Sequence, residues 1–114
     1  MKFQYDRSCR MKIQDDWWEI YVITDEEAHE LDEDGFRALT LTKEDGQCMI
    51  FVEGNVTKNI VAHELFHLYV SYFNLESADL DTDAFEEIVA EFLENNMDKF
   101  IRIRNKIYNK IRRL

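Results

Sequence analysis

At Gly54-Asn55 the spacing of apolar residues changes from two to between three and four, and this switch limits the fold more than any other feature. Before it, the apolar residues read mainly as strands; after it, they recur along one side of a helix. Strands gathered in the first half and helices in the second make an α+β chain. At 114 residues the chain is one domain's worth. The sequence therefore predicts a single domain over 1–114, with 1–54 mainly strands and 55–114 helical. The expected architecture is a small antiparallel or mixed sheet packed on two to three C-terminal helices.

Cys9, Met11 and Ile13 alternate with Ser8, Arg10, Lys12 and Gln14, the period of a half-buried strand. Asp15-Asp16 is the expected turn, and Trp17 to Thr24 the returning strand, with Trp18, Ile20 and Val22 on one side. Residues 25–35 carry seven acids around His29 and Leu31, which suits a short capped helical turn or a solvated loop. Residues 36–43 and 47–53 read as a second hairpin, joined by Glu44-Asp45-Gly46-Gln47. Its second strand, Cys48 to Val52, is continuously apolar and so should be covered on both faces.

Asn55 is the expected cap of a helix from Val56 to Asn74. Ile60, Val61, Leu65, Leu68, Tyr69, Tyr72 and Phe73 give it a broad apolar surface, so it should be largely buried. After a linker over 75–81, a second helix should begin near Thr82 or Asp83, with Asp83 and Glu86 as a capping box. Unbroken to Leu114 it would be about 48 Å long. A globule of this size has a radius of gyration of about 13 Å, so a bend is expected at Asn95-Asn96. A third, basic helix would follow over 97–113, along Phe100, Ile103, Ile107, Ile111 and Leu114.

The net charge of −10 repels nucleic acid and anionic membrane on average. Residues 98–114 reverse the sign: Lys99, Arg102, Arg104, Lys106, Lys110, Arg112 and Arg113 face a single acid, Asp98. The simplest expectation is a basic helix lying against an acidic body, and the alternative is a tail that docks a protein partner or binds phosphate. Neither a charged-then-apolar leader nor a run of 18 apolar residues is present, so a cytoplasmic protein is expected. Cys9 and Cys48 are too few for a disulfide framework and read as reduced thiols.

The chemistry concentrates in Ile60-Val61-Ala62-His63-Glu64-Leu65-Phe66-His67, which contains the pattern H-E-x-x-H. Residues four apart on a helix share one face, so two imidazoles can close on one tetrahedral zinc ion. Glu64 flanks that position, where a general base acting on a water belongs. A lone core histidine is usually structural, but two at this spacing around a glutamate are harder to assign to packing. One ligand is missing. Glu87, on the next helix, can return to the metal after twenty residues; Ala90 allows close approach, and Glu91 is placed to orient a ligand histidine. The competing reading of Glu87 and Glu91 is a solvated helix face. Asp79, Asp81 and Asp83 alternate as in a calcium loop, but Ala84 and Ala90 stand where that loop needs Gly and Glu.

His63-Glu64-x-x-His67 followed by Glu87-x-x-Ala90-Glu91 resembles the gluzincin branch of the zincin metallopeptidases, over residues of about 48–94. Among short zincins it is similar to ImmA/IrrE-type peptidases and small phage-encoded proteins, which suggests a phage or bacterial source. The metzincin pattern would want Gly and His where Val70 and Phe73 stand. The resemblance implies a minimal zincin-like fold, one zinc ion held by His63, His67 and Glu87, Glu64 as base, and Glu91 supporting a ligand. The expected activity is hydrolysis of a protein or peptide substrate by an activated water. Tyr69, Tyr72, Tyr108 and His29 are the candidate donors to the developing oxyanion. The alternative is a non-catalytic module that keeps the fold to bind a protein partner through its basic helix, Lys99 to Arg113.

Overall fold

In a computed structural model of the chain, residues 5–42, 47–72 and 81–114 are described, the side chains of Ser71 and Tyr72 excepted. Strands β1 (Ser8–Ile13) and β2 (Asp16–Ile23) form the first hairpin, antiparallel, with Met11 opposite Trp18 and Ile13 opposite Asp16. Alternation holds in β1: Met11 and Ile13 are buried while Arg10 and Lys12 are exposed. The turn falls on Gln14-Asp15, one residue earlier than expected. A two-residue hairpin loop that matches the strand twist needs positive φ at both central positions, and these two residues have φ of 52° and 64°.

The acidic stretch after β2 contains helix α1 (Asp25–Leu31). Thr24 and Glu27 cap it reciprocally: the Glu27 amide donates to Thr24 Oγ1 at 3.1 Å and the Thr24 amide to Glu27 Oε1 at 3.0 Å. Three acids in its first turn, Asp25, Glu26 and Glu27, also lie at the favourable end of the helix dipole.

Strands β3 (Ala38–Leu41) and β4 (Cys48–Val52) pair antiparallel, as their sequence predicts. The connecting residues 43–46, including the expected Asp-Gly turn, lie outside the described residues. β4 does not extend the first hairpin from its own edge. It runs parallel to β2, with Ile20 beside Met49 and Ile23 beside Val52, so the sheet is mixed and ordered β1-β2-β4-β3. This central position explains why every residue of β4 is apolar: all five are buried.

Each face of the sheet is covered. On one lie Tyr21, Ile23, Ile50 and Val52, packed with Ala28 of α1 and with Phe36, Leu39 and Leu41. On the other lie Trp18, Ile20, Val22, Met49 and Phe51, packed against the C-terminal helices. The helix α2 (Lys58–Tyr72) contributes Val61, Leu65, Leu68 and Tyr69 to that second core. Its cap is Thr57, not Asn55: the Ile60 amide donates to Thr57 Oγ1 at 3.1 Å. The expected end of this helix at Asn74 lies outside the described residues, as does most of the 75–81 linker.

The helix α3 (Thr82–Arg112) is continuous over 31 residues. Asp81 caps it, accepting from the Ala84 amide at 2.7 Å, which displaces the expected cap at Asp83. The bend at Asn95-Asn96 does not occur, and a separate third basic helix therefore does not exist. With no Gly or Pro, interior Asn costs a helix only roughly 0.5 kcal/mol each relative to Ala. One stripe, Phe92, Phe100, Ile103, Ile107 and Ile111, packs on the core on both sides of Asn95-Asn96. The length is accommodated by shape, with a radius of gyration of 14.7 Å and extents of 41 × 28 × 24 Å. No helix among the described residues is long and apolar enough to cross a membrane.

Candidate metal centre

α2 packs on the sheet through Val61 and Leu65, both fully buried. His63 and His67 each follow one of these by two positions, roughly 200° around the helix, and so point away from the core. Both are exposed, with His63 at 65% of its side chain. The expectation that α2 is largely buried therefore does not extend to its histidines: the buried polar residue of the motif is Glu64, at 6% exposure.

The two histidines converge. Their Nε2 atoms are 3.2 Å apart, with ring planes at 75° and centroids 4.8 Å apart. Two nitrogens each about 2.0–2.1 Å from one tetrahedral zinc lie roughly 3.3–3.4 Å apart. The pair thus has the spacing of two ligands to a shared ion. Without an ion, the same distance is an Nε2–H···Nε2 hydrogen bond between rings of opposite tautomer.

Glu64 is held from the sheet. Thr40, in the edge strand β3, donates its hydroxyl to Glu64 Oε1 at 2.7 Å, and the main-chain oxygen of Glu64 is 3.2 Å from the same hydroxyl. One proton cannot serve both fully, and the shorter contact takes it. The other carboxylate oxygen, Oε2, lies 3.9 Å from His63 Nε2. That is too long for a direct hydrogen bond and leaves the oxygen facing the histidine pair. His63, Glu64 and His67 form the one group of three or more His, Cys, Asp or Glu side chains, among the described residues, whose ligand atoms lie within 4.8 Å of one another.

No family model, curated protein or solved structure matches the chain.

Glu87 and Glu91 are exposed on α3 and are not members of this group. Phe92 sets the roll of α3 on α2, since its ring lies 6.1 Å from that of Phe66 and 5.0 Å from that of Tyr69. Glu87 is five positions from Phe92 and so roughly 140° around the helix, and Glu91 is roughly 100° away. Neither position lies on the side of α3 that Phe92 sets against α2. Of the candidate oxyanion donors, His29 belongs to α1, which covers the opposite face of the sheet. Its Nδ1 is 3.2 Å from the Glu33 carbonyl and its ring lies over Gly35. Tyr69 is buried at 1% exposure against Phe92 and Phe100, and burial pushes its phenol up from 10.0. Tyr108 has its ring between Lys58 and Arg112, each cation 5.8 Å from the centroid. The Tyr72 side chain lies outside the described residues.

The residue that sequence reading misses is Thr40. Between Leu39 and Leu41 it reads as the wet side of an alternating strand. Both faces of this sheet are covered, so a polar side chain on the α2 side needs a partner, and Glu64 is that partner.

Proposed function

We propose that this protein is a zinc-dependent metallopeptidase. The observation that carries the reading is the convergence of two histidine Nε2 atoms at 3.2 Å beside a buried carboxylate anchored by Thr40. A surface histidine pair has no need of a buried acid next to it; a hydrolytic site needs a fixed proton acceptor.

His63 and His67 would hold the ion through Nε2, each as the tautomer with its proton on Nδ1. Two imidazoles at tetrahedral spacing suit zinc, which when bound makes a water more acidic and polarises a carbonyl. Glu64 takes the proton of the attacking water on Oε2 and returns it to the leaving amine. Thr40 keeps Oε1 engaged, so that Oε2 is the oxygen presented to the reaction. The third protein ligand implied by the resemblance, Glu87, has no part in this arrangement.

Zinc titration of the chelator-treated chain by calorimetry tests the site. The wild type should bind one equivalent, and His63→Ala or His67→Ala should lose at least tenfold in affinity. Glu87→Gln should bind as the wild type does. Glu64→Gln should bind zinc and yet cleave an unfolded protein substrate at least a hundredfold more slowly. Equal zinc binding by the wild type and His63→Ala removes the metal reading, and equal cleavage by Glu64→Gln removes the catalytic one.

A further inference from the structure

α3 divides its charge along its length, and among the described residues no ion pair uses its basic half. Residues 82–98 hold six acids and no base; residues 99–112 hold six bases and no acid. The helix dipole favours this polarity but acts only over the first and last turns. An internal partner for the basic half was the simplest expectation from the sequence. Among the described residues, however, the ion pairs are Arg7–Glu53, Arg10–Glu19, His29–Asp25 and the His63–Glu64 contact, and none includes a base of α3. Lys99 reaches the Gln14 amide oxygen at 3.1 Å, and Arg104 its neighbour Asn105.

The same helix leaves apolar side chains in water. Leu93 and Met97 are 42% and 40% exposed. One turn apart, they share a face that Ala90 and Glu86 extend toward the N-terminus and Ile101 and Arg104 toward the C-terminus. Its positions are spaced three or four apart, as on the faces through which helices pair.

We infer that α3 is the interface of a homodimer, packed antiparallel against α3 of a second copy of this chain about a two-fold axis at Met97. Antiparallel pairing lays each acidic half along a basic half, and a two-fold makes both contacts identical. With the axis at Met97, Leu93 faces Ile101 of the second copy and Ala90 faces its Arg104. Ala90 is small, so this guanidinium settles between Glu86 and Glu94, one turn to either side. The chain's charge of −10 disfavours unguided self-association, and the dipolar helix supplies the attraction that one alignment alone can use.

Sedimentation equilibrium of the full chain tests the inference. At concentrations on the order of 0.1 mM the wild type should be dimeric, with dissociation promoted by salt. Met97→Glu brings two carboxylates together at the axis, and Arg104→Glu faces Glu86 and Glu94 with a third acid; each should be monomeric while keeping the helical circular dichroism of the wild type. The double variant Glu86→Lys/Glu94→Lys should also be monomeric alone. Mixed with Arg104→Glu it should form a heterodimer, because both contacts then pair opposite charges. A monomeric wild type, a dimer unchanged by Met97→Glu, or a mixture that stays monomeric would each overturn the interface.

Discussion

A single hydroxyl fixes the position of the Glu64 carboxylate, which the proposed function uses as its base. Thr40 is the one hydrogen-bond donor to this buried carboxylate among the described residues. Thr40→Val keeps the shape of the side chain and removes the donor, leaving Oε1 buried without its bond. The expected cost is about 1–3 kcal/mol, read as a lowered urea midpoint. In a double-mutant cycle with Glu64→Gln the two changes should not add, because they share one contact. Cys48 carries a second residue-scale expectation. Burial in β4, with a smaller contribution from Glu19, pushes its thiol up to about 11 from 9.0. The neutral form is thus favoured by folding, and the contribution is fully present below about pH 9 and lost as pH rises through about 11. Its upper bound is about 2–3 kcal/mol. Cys48→Ala should flatten the fall in urea midpoint between those pH values relative to the wild type, and an unchanged slope would show that other groups control it. The histidine pair and Glu64 were legible because i, i+4 spacing is local and a helix alone sets it. Thr40 was not: it lies 24 residues from Glu64, and only the order of the sheet and the seating of α2 bring them together. The position of Glu87 was illegible for a related reason, since the roll of one helix on another depends on the phase of its apolar stripe against a surface not yet known.

At the scale of elements, local patterns identified strands and helices, whereas tertiary packing set their extents. Alternation located β1 and β2, and the continuous apolar run marked β4 as central. The parallel pairing of β2 with β4 was not written in either strand; it follows from α1 and β3 carrying the chain across the sheet before β4 enters its middle. The bend expected at Asn95-Asn96 was inferred from compactness, and it failed because a stripe from Phe92 to Ile111 supports the helix across that point. Continuity has a measurable consequence. Asn95 is an exposed residue in the interior of α3, so Asn95→Ala should raise stability by roughly 0.5 kcal/mol through helix propensity alone. Asn95→Pro should cost about 3 kcal/mol or more, by removing an amide donor and clashing with the preceding turn. At a hinge both changes would be close to neutral, so the pair of urea midpoints distinguishes a helix from a joint.

For the whole molecule, charge distribution has opposite effects on folding and on association. The chain carries 24 acids against 14 Lys and Arg, and most of the bases of its last 17 residues lie on α3. Removing that +6 segment from the total of −10 leaves −16 on the rest. Repulsion among those acids destabilises the compact state, and added salt should relieve it. Contact between the halves of α3 in two copies is an attraction, and the same salt should weaken it. Measured on the monomeric Met97→Glu variant, the thermal midpoint should therefore rise between low and physiological ionic strength. Over the same range the dimer dissociation constant of the wild type should increase. The two responses separate because the Debye length falls to about 8 Å at 0.15 M, short compared with the spread of acids over the body. Residual attraction across the two-fold then comes only from bases and acids in direct contact. A thermal midpoint that falls with salt would mean that the acidic body is held by internal ion pairs, and the basic half of α3 would be among their partners.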